Sequence, residues 1–162
     1  MYISSVTRVS WNGILSSSFN IVNAVRQGGI VSPVLFCVYL DGLLQQLYNA
    51  GVGCFIGKVF VGALAYTDNV ALLAPTPTAM RKMLKICEEY GNEFSVIFNA
   101  SKSVWMYVTK RGRPPSGNIQ FHVDGKSISF VTRHMHLGHL ISSNMNDVKN
   151  CLRPPNNDAI IV

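Results

Sequence analysis

Asp68 is a single carboxylate set between two apolar runs, Ala63-Leu64-Ala65 and Val70-Ala71-Leu72-Leu73-Ala74. The intervening Tyr66-Thr67-Asp68-Asn69 predicts a hairpin with its tip at Asp68. A carboxylate carried outward at the end of buried strands suits a hard cation such as Mg2+. It also suits a turn residue that caps its own backbone. Gly28-Gly29 followed by Ser32-Pro33 reads as a loop and a helix start, with Ser32 as N-cap and Pro33 at the first helical position. His134, His136 and His139 invite a zinc reading. On one continuous strand 134 and 136 share a face and 139 takes the other, and no Cys lies nearby, which speaks against it. Trp105 and Tyr107 alternate on a strand, as core packing or a base-stacking surface would require.

The elements that carry these residues follow from pattern. Strands are predicted at about 4–11 and 14–24, turning at Asn12-Gly13. A helix runs from 33 to about 49, with apolar residues around most of its circumference, as in a helix packed on several sides. Strands at 53–57 and 59–65 lead into the hairpin. Pro75 and Pro77 stop the return strand, and Met80, Met83, Leu84, Cys87 and Tyr90 recur at helical spacing to about 91, where Gly91 fits a helix end. Short strands are expected at 95–98, 103–109, 118–123, 127–132 and 135–142, with Asp124-Gly125 as a tight turn. Lys110 to Gly117 is a basic, Pro-containing loop, and 143–162 reads as a flexible tail. The order is that of an α+β domain, one sheet with helices on one face.

Composition sets limits. At 162 residues, 48% apolar and 14% charged, the chain has ample surface to bury and is not disordered as a whole. The net charge of +6 is compatible with a polyanionic partner. The eight acidic residues are Asp41, Asp68, Glu88, Glu89, Glu93, Asp124, Asp147 and Asp158, and any carboxylate metal site must come from them. The four cysteines form no CxxC pair and read as free thiols in a reducing, intracellular setting, nucleus and cytoplasm alike. Asp41, Gln45 and Asp68 interrupt the apolar stretches, so no membrane span is expected.

Tyr66-Thr67-Asp68-Asn69 resembles the Tyr-x-Asp-Asp hairpin of reverse transcriptases. Arg26-Gln27-Gly28-Gly29-Ile30-Val31-Ser32-Pro33 resembles the Arg-Gln-Gly-x-x-x-Ser-Pro motif of the same family. Phe98 to Ser103 resembles the segment carrying the family's next lysine, here Lys102, and His136-Leu137-Gly138-His139 resembles its primer grip. The four stand in the family's order over about residues 8–142, most like non-LTR (LINE-type) retrotransposon enzymes. The resemblance implies a polymerase-palm-like antiparallel sheet with helices on one face, a partial domain over 1–142 with its primer-grip-like end at 134–142. It implies RNA-directed DNA polymerisation on an RNA template, DNA primer and nucleoside triphosphate, with Mg2+ in a two-metal mechanism. Asp68 would be the metal ligand, with Asn69 and Lys102 as its catalytic companions. Arg26, Gln27, Gly28, Gly29, Ser32 and Tyr66 would lie against nucleotide or template, and Leu137 and Gly138 against the primer end.

Two departures stand out. The family's first catalytic aspartate precedes the Arg-Gln-Gly motif, whereas none of the 25 residues before Arg26 is acidic. Asn69 stands where the family has a second Asp. The expectation is a palm incomplete at its N-terminus, without fingers or first aspartate, and catalytically inactive. The alternatives are a non-catalytic nucleic-acid-binding remnant and a pseudogene product with no activity. A missing palm strand would also leave an apolar sheet edge open to self-association.

Overall fold

The computed structural model describes residues 6–20, 32–109, 117, 119–144 and 159–161. The chain divides into two compact units, 1–39 and 40–162. In the first, Asn12 and Gly13 both take positive φ (49° and 79°) and turn strand β2 (Ser10–Trp11) into β3 (Ile14–Leu15). Outside them β1 (Val6–Thr7) pairs with β4 (Phe19–Asn20). The two long strands expected here are short pieces. Ser16 explains part of this: its hydroxyl accepts the Val9 N–H at 3.0 Å, replacing a ladder bond with a side-chain bond.

Helix α1 (Ser32–Asn49) spans the boundary between the units. Its buried positions Leu40, Leu43 and Leu47 form one stripe, while Val34 and Val38 are 61% and 67% exposed. Among the described side chains, the expected all-round burial is thus corrected to burial on one side.

The second unit holds a larger sheet. A small hairpin, β5 (Phe55–Ile56) with β6 (Val59–Phe60), precedes β7 (Ala63–Tyr66) and β8 (Asn69–Ala74). Helix α2 (Pro77–Phe94) follows, capped by Thr76, whose hydroxyl accepts the Ala79 N–H at 3.1 Å, with Pro77 opening the first turn. Its apolar stripe is the expected one, Met80, Met83, Leu84, Cys87 and Tyr90. Its end is not. The helix passes through Gly91 to Phe94, and Ser95 in the left-handed region (φ 56°) closes it. Residues 95–98 are loop rather than strand, and the Val96 N–H bonds back to the Gly91 carbonyl at 2.9 Å. The Val96 carbonyl oxygen lies 2.6 Å from where a Cβ on Gly91 would stand, so this glycine serves close approach.

Strand β9 (Val104–Val108) comes next, then the β10 (His122–Val123) and β11 (Lys126–Ser127) hairpin turning at Asp124-Gly125. β12 (Ser129–Phe130) pairs parallel to β9. The expected single strand at 135–142 is instead a hairpin, β13 (Arg133–His136) with β14 (His139–Ser142), turning at Leu137-Gly138. Three residues of the stretch read as tail form β15 (Ala159–Ile161). The main sheet has the order β12-β9-β15-β8-β7. β15 is antiparallel to both neighbours, so β8 and β9 run parallel to each other, joined by α2. This is a β-α-β crossover split by an inserted strand. Leu43 and Leu47 of α1, the α2 stripe, Leu72, Ala74, Trp105 and Phe121 share one core. The fold is mixed helix and strand with two helices and small, mostly antiparallel sheets. No helix among the described residues is long and apolar enough to cross a membrane.

Candidate active site

The hairpin expected around Asp68 is formed by β7 and β8, with Tyr66 opposite Asn69 and Ala63 opposite Leu72. Thr67 and Asp68 are the two turn residues, and Thr67 takes φ 50°, a conformation that β-branched residues adopt only under strain. Asp68 is exposed. Its Oδ1 accepts the Thr67 hydroxyl at 3.0 Å and the Asn69 side-chain amide at 3.2 Å. Two hydrogen-bond donors therefore converge on one carboxylate oxygen. Where a second carboxylate would add charge for a cation, Asn69 presents N–H to Asp68.

The other described acids lie on other elements. Asp41 lies on α1, and Glu88, Glu89 and Glu93 lie on α2. The Glu88 carboxylate accepts the Asp124 backbone N–H at 2.7 Å, tying α2 to the β10–β11 turn. Glu89 faces Lys85 at 3.7 Å, both exposed. Among the described residues no group of three His, Cys, Asp or Glu side chains is gathered to hold a metal ion. The donor set among the described residues does not fit a two-ion centre.

Lys102 is exposed just before β9. Since β8 and β9 run parallel, Lys102 and Asp68 both precede the starting ends of their strands, at the same end of the sheet. Asn99 fixes the segment before β9: its Oδ1 accepts the Ser101 N–H (3.0 Å), Ser101 hydroxyl (2.7 Å) and Lys102 N–H (3.3 Å). Its carbonyl accepts the Ser103 hydroxyl and N–H, both at 3.0 Å. This positioning role went unassigned in the sequence, although an Asn two residues before a Ser is an ordinary signal of such a turn.

Leu137 and Gly138 form a hairpin tip, Leu137 at φ 49° and 47% exposed. The hairpin also corrects the histidine geometry. His136 pairs with His139, so these two and His134 share a face. Trp105 is buried against Phe121 (5.0 Å between ring centroids) and Phe130 (4.6 Å), hence core and not a base-stacking surface. Cys87 is buried, Cys54 half-buried and Cys37 exposed, all free thiols. Arg26, Gln27, Gly28 and Gly29, like the basic loop at 110–116, lie outside the described residues, and Ser32 is described only as the first residue of α1.

Comparison with known proteins places the hairpin in context. Residues 1–141 match the family model for reverse transcriptase (RNA-dependent DNA polymerase). The Pol polyprotein of the type-2 retrotransposable element R2DM of Drosophila melanogaster is 28% identical over 96 residues, 59% of this chain and 9% of that protein. That of the type-1 element R2 of Popillia japonica is 33% identical over 89 residues, 54% of this chain and 12% of its own length. The R2 counterpart of Nasonia vitripennis is 28% identical over 98 residues, 60% and 10% respectively. The chain thus spans about a tenth of the length of the curated relatives it matches. The family match covers most of the 162 residues, and the chain belongs to the reverse transcriptase family, among the non-LTR retrotransposon enzymes.

Proposed function

We propose that residues 1–142 are a partial polymerase palm, that Asp68 and Lys102 stand at its nucleotidyl-transfer end, and that this 162-residue chain does not itself extend a primer. The observation that carries the proposal is the Asp68 carboxylate held by the Asn69 amide at 3.2 Å. RNA-directed DNA synthesis needs two divalent ions anchored beside the reacting phosphate. One exposed carboxylate, with one oxygen engaged by two donors, is a poor anchor for Mg2+, which gives up its waters reluctantly. The expected partners are RNA template, DNA primer and nucleoside triphosphate. Arg26, Gln27, Gly28, Gly29, Ser32 and Tyr66 are assigned to the nucleotide and template side, Leu137 and Gly138 to the primer. Both Thr67 and Leu137 hold positive φ in two-residue turns, and such strain concentrates at functional sites. Free thiols at Cys37, Cys54 and Cys87 suit a reducing intracellular location.

Primer extension on a primed RNA template with Mg2+ or Mn2+ tests this. Incorporation should not exceed that of Asp68→Ala; incorporation lost in Asp68→Ala would overturn the claim of inactivity. The net charge of +6 favours a second activity, nucleic-acid binding without catalysis. It predicts affinity for primed RNA that falls steeply with salt and is indifferent to Mg2+.

A further inference from the structure

Two imidazoles face each other across the tip of the β13–β14 hairpin. Leu137 and Gly138 both take positive φ (49° and 80°), the two-residue turn whose twist matches the flanking strands, and that turn fixes the register. His136 is thereby directly opposite His139, Met135 opposite Leu140 and His134 opposite Ile141. Side chains alternate between the two faces, so His136 and His139 share one face with His134 and Ile141, while Met135 and Leu140 take the other. Directly opposed residues carry their Cβ atoms about 4.5–5.5 Å apart. Imidazole nitrogens bind a zinc-like ion at about 2.0–2.1 Å, so two of them brought to roughly 3 Å from each other can share one ion. Rotation about the side-chain bonds closes that difference.

His139 is exposed and His136 half-buried, so an ion reaches the pair from solvent. Neither strand carries an acidic residue. Nitrogen donors without carboxylates suit Zn2+, Ni2+ or Cu2+ and not Mg2+ or Ca2+, which take oxygen. The chemistry thus differs from that of the Asp68 turn. His134 lies two residues from His136, ~6.8 Å along the strand. Among the described residues no three His, Cys, Asp or Glu side chains are gathered to hold an ion, so the donor set is the opposed pair and not the triple. The ladder holds both donors in place before an ion arrives, which lowers the entropy lost on binding.

We propose that His136 and His139 form a two-imidazole site for one late first-row divalent ion, with water on its remaining positions. Zn2+ is the type of that class, since its d-electrons impose no preferred geometry on the two ligands. Bound there, the ion clips β13 to β14 at the hairpin tip. The proposal concerns metal binding on elements other than those of Asp68, and it stands apart from the polymerase reading.

The test titrates ZnCl2 into the full chain by isothermal calorimetry and follows hydrogen exchange at saturating Zn2+. Exchange should slow in β13 and β14 and stay unchanged in β10 and β11. His136→Gln and His139→Gln should each weaken binding by about 10-fold or more and abolish the added protection. His134→Gln should bind as the unaltered chain does and keep the protection. Zn2+ bound at a cysteine thiol instead would leave exchange in β13 and β14 unchanged, and that result overturns the proposal. So does an affinity that both His136→Gln and His139→Gln leave unaltered, or a loss in His134→Gln as large as theirs. If a variant does not fold, the unaltered chain decides: no added protection in β13 and β14 at saturating Zn2+ overturns the proposal equally.

Discussion

Asn69 aims its side-chain amide at the carboxylate of Asp68, 3.2 Å from Oδ1. The two lie side by side at the end of β8, where a carboxylate pair would repel unless a cation lay between them. The amide removes that repulsion and, with it, the need for the cation.

Asn69→Asp should therefore cost stability and create ion dependence. Replacing the donor by a like charge at an exposed tip is expected to lower Tm by about 1–2 °C. Millimolar Mn2+ should restore the loss, while the unaltered chain shows no Mn2+-dependent shift. Thermal unfolding with and without Mn2+ reads both, and an unchanged Tm in Asn69→Asp would show that the 3.2 Å bond contributes nothing.

Leu137 offers a larger effect. A bulky side chain at φ 49° is held in a region costing roughly 1–2 kcal/mol relative to right-handed backbone. Two other tight turns show the relaxed solution, Asn12-Gly13 and Asp124-Gly125, with residues that tolerate that region. Leu137→Asn should stabilise by about 1 kcal/mol, a rise of about 2–4 °C in Tm. Because 47% of Leu137 is exposed, little burial is lost in exchange. If the tip touches a primer, the same variant should bind primed RNA more weakly while melting higher, separating strain kept for function from strain without use.

These turns show what could be read from the sequence. The Asp68 hairpin was legible because polar turn residues break two apolar runs, and α2 because its stripe recurs at a helical period. The β13–β14 hairpin was not, since Leu137-Gly138 lacks the Asn or Asp that marks the turn at Asn12 and Asp124. That one error also put His139 on the wrong face. The one-sided burial of α1 was hidden because Val34 and Val38 are apolar yet exposed. β15 carries no local signal at all: Ile160 pairs with Ala74, 86 positions away, and three residues are too few for a periodicity. Arg26 to Gly29 belong to the resemblance and lie outside the described residues.

Gly91 sets helix propensity against packing. Ala is favoured over Gly in a helix interior by about 1 kcal/mol. The new Cβ, however, would lie 2.6 Å from the Val96 carbonyl oxygen, a backbone atom that cannot swing aside. Overpacking of this kind costs about 1–3 kcal/mol. Packing should win, leaving Gly91→Ala destabilised by about 1–2 kcal/mol. The neighbouring, exposed Asn92→Ala should be neutral or slightly stabilising, and denaturant melts of the pair give the comparison. A Gly91→Ala chain at least as stable as the original would mean that the 95–98 loop moves freely away from α2.

Cys87 couples stability to alkaline pH. Burial, and secondarily the negative charge of Glu88, pushes its thiol up from 9.0 to about 12. In the unfolded chain the thiol ionises near its ordinary value, while the folded chain keeps the proton. Between about pH 9 and pH 12 the native state thus binds more protons than the unfolded state, and stability falls as pH rises. A single site gives a slope approaching 1.4 kcal/mol per pH unit within that window and nothing below it. Cys87→Ala should lose stability at pH 7, by about 1 kcal/mol for the volume removed, yet show a flatter decline above pH 9. Denaturant melts from pH 7 to pH 10.5 compare the two chains, and parallel curves would show that Cys87 does not hold its proton through folding. Alkylation gives an independent reading: in the native chain exposed Cys37 should react with iodoacetamide well before buried Cys87.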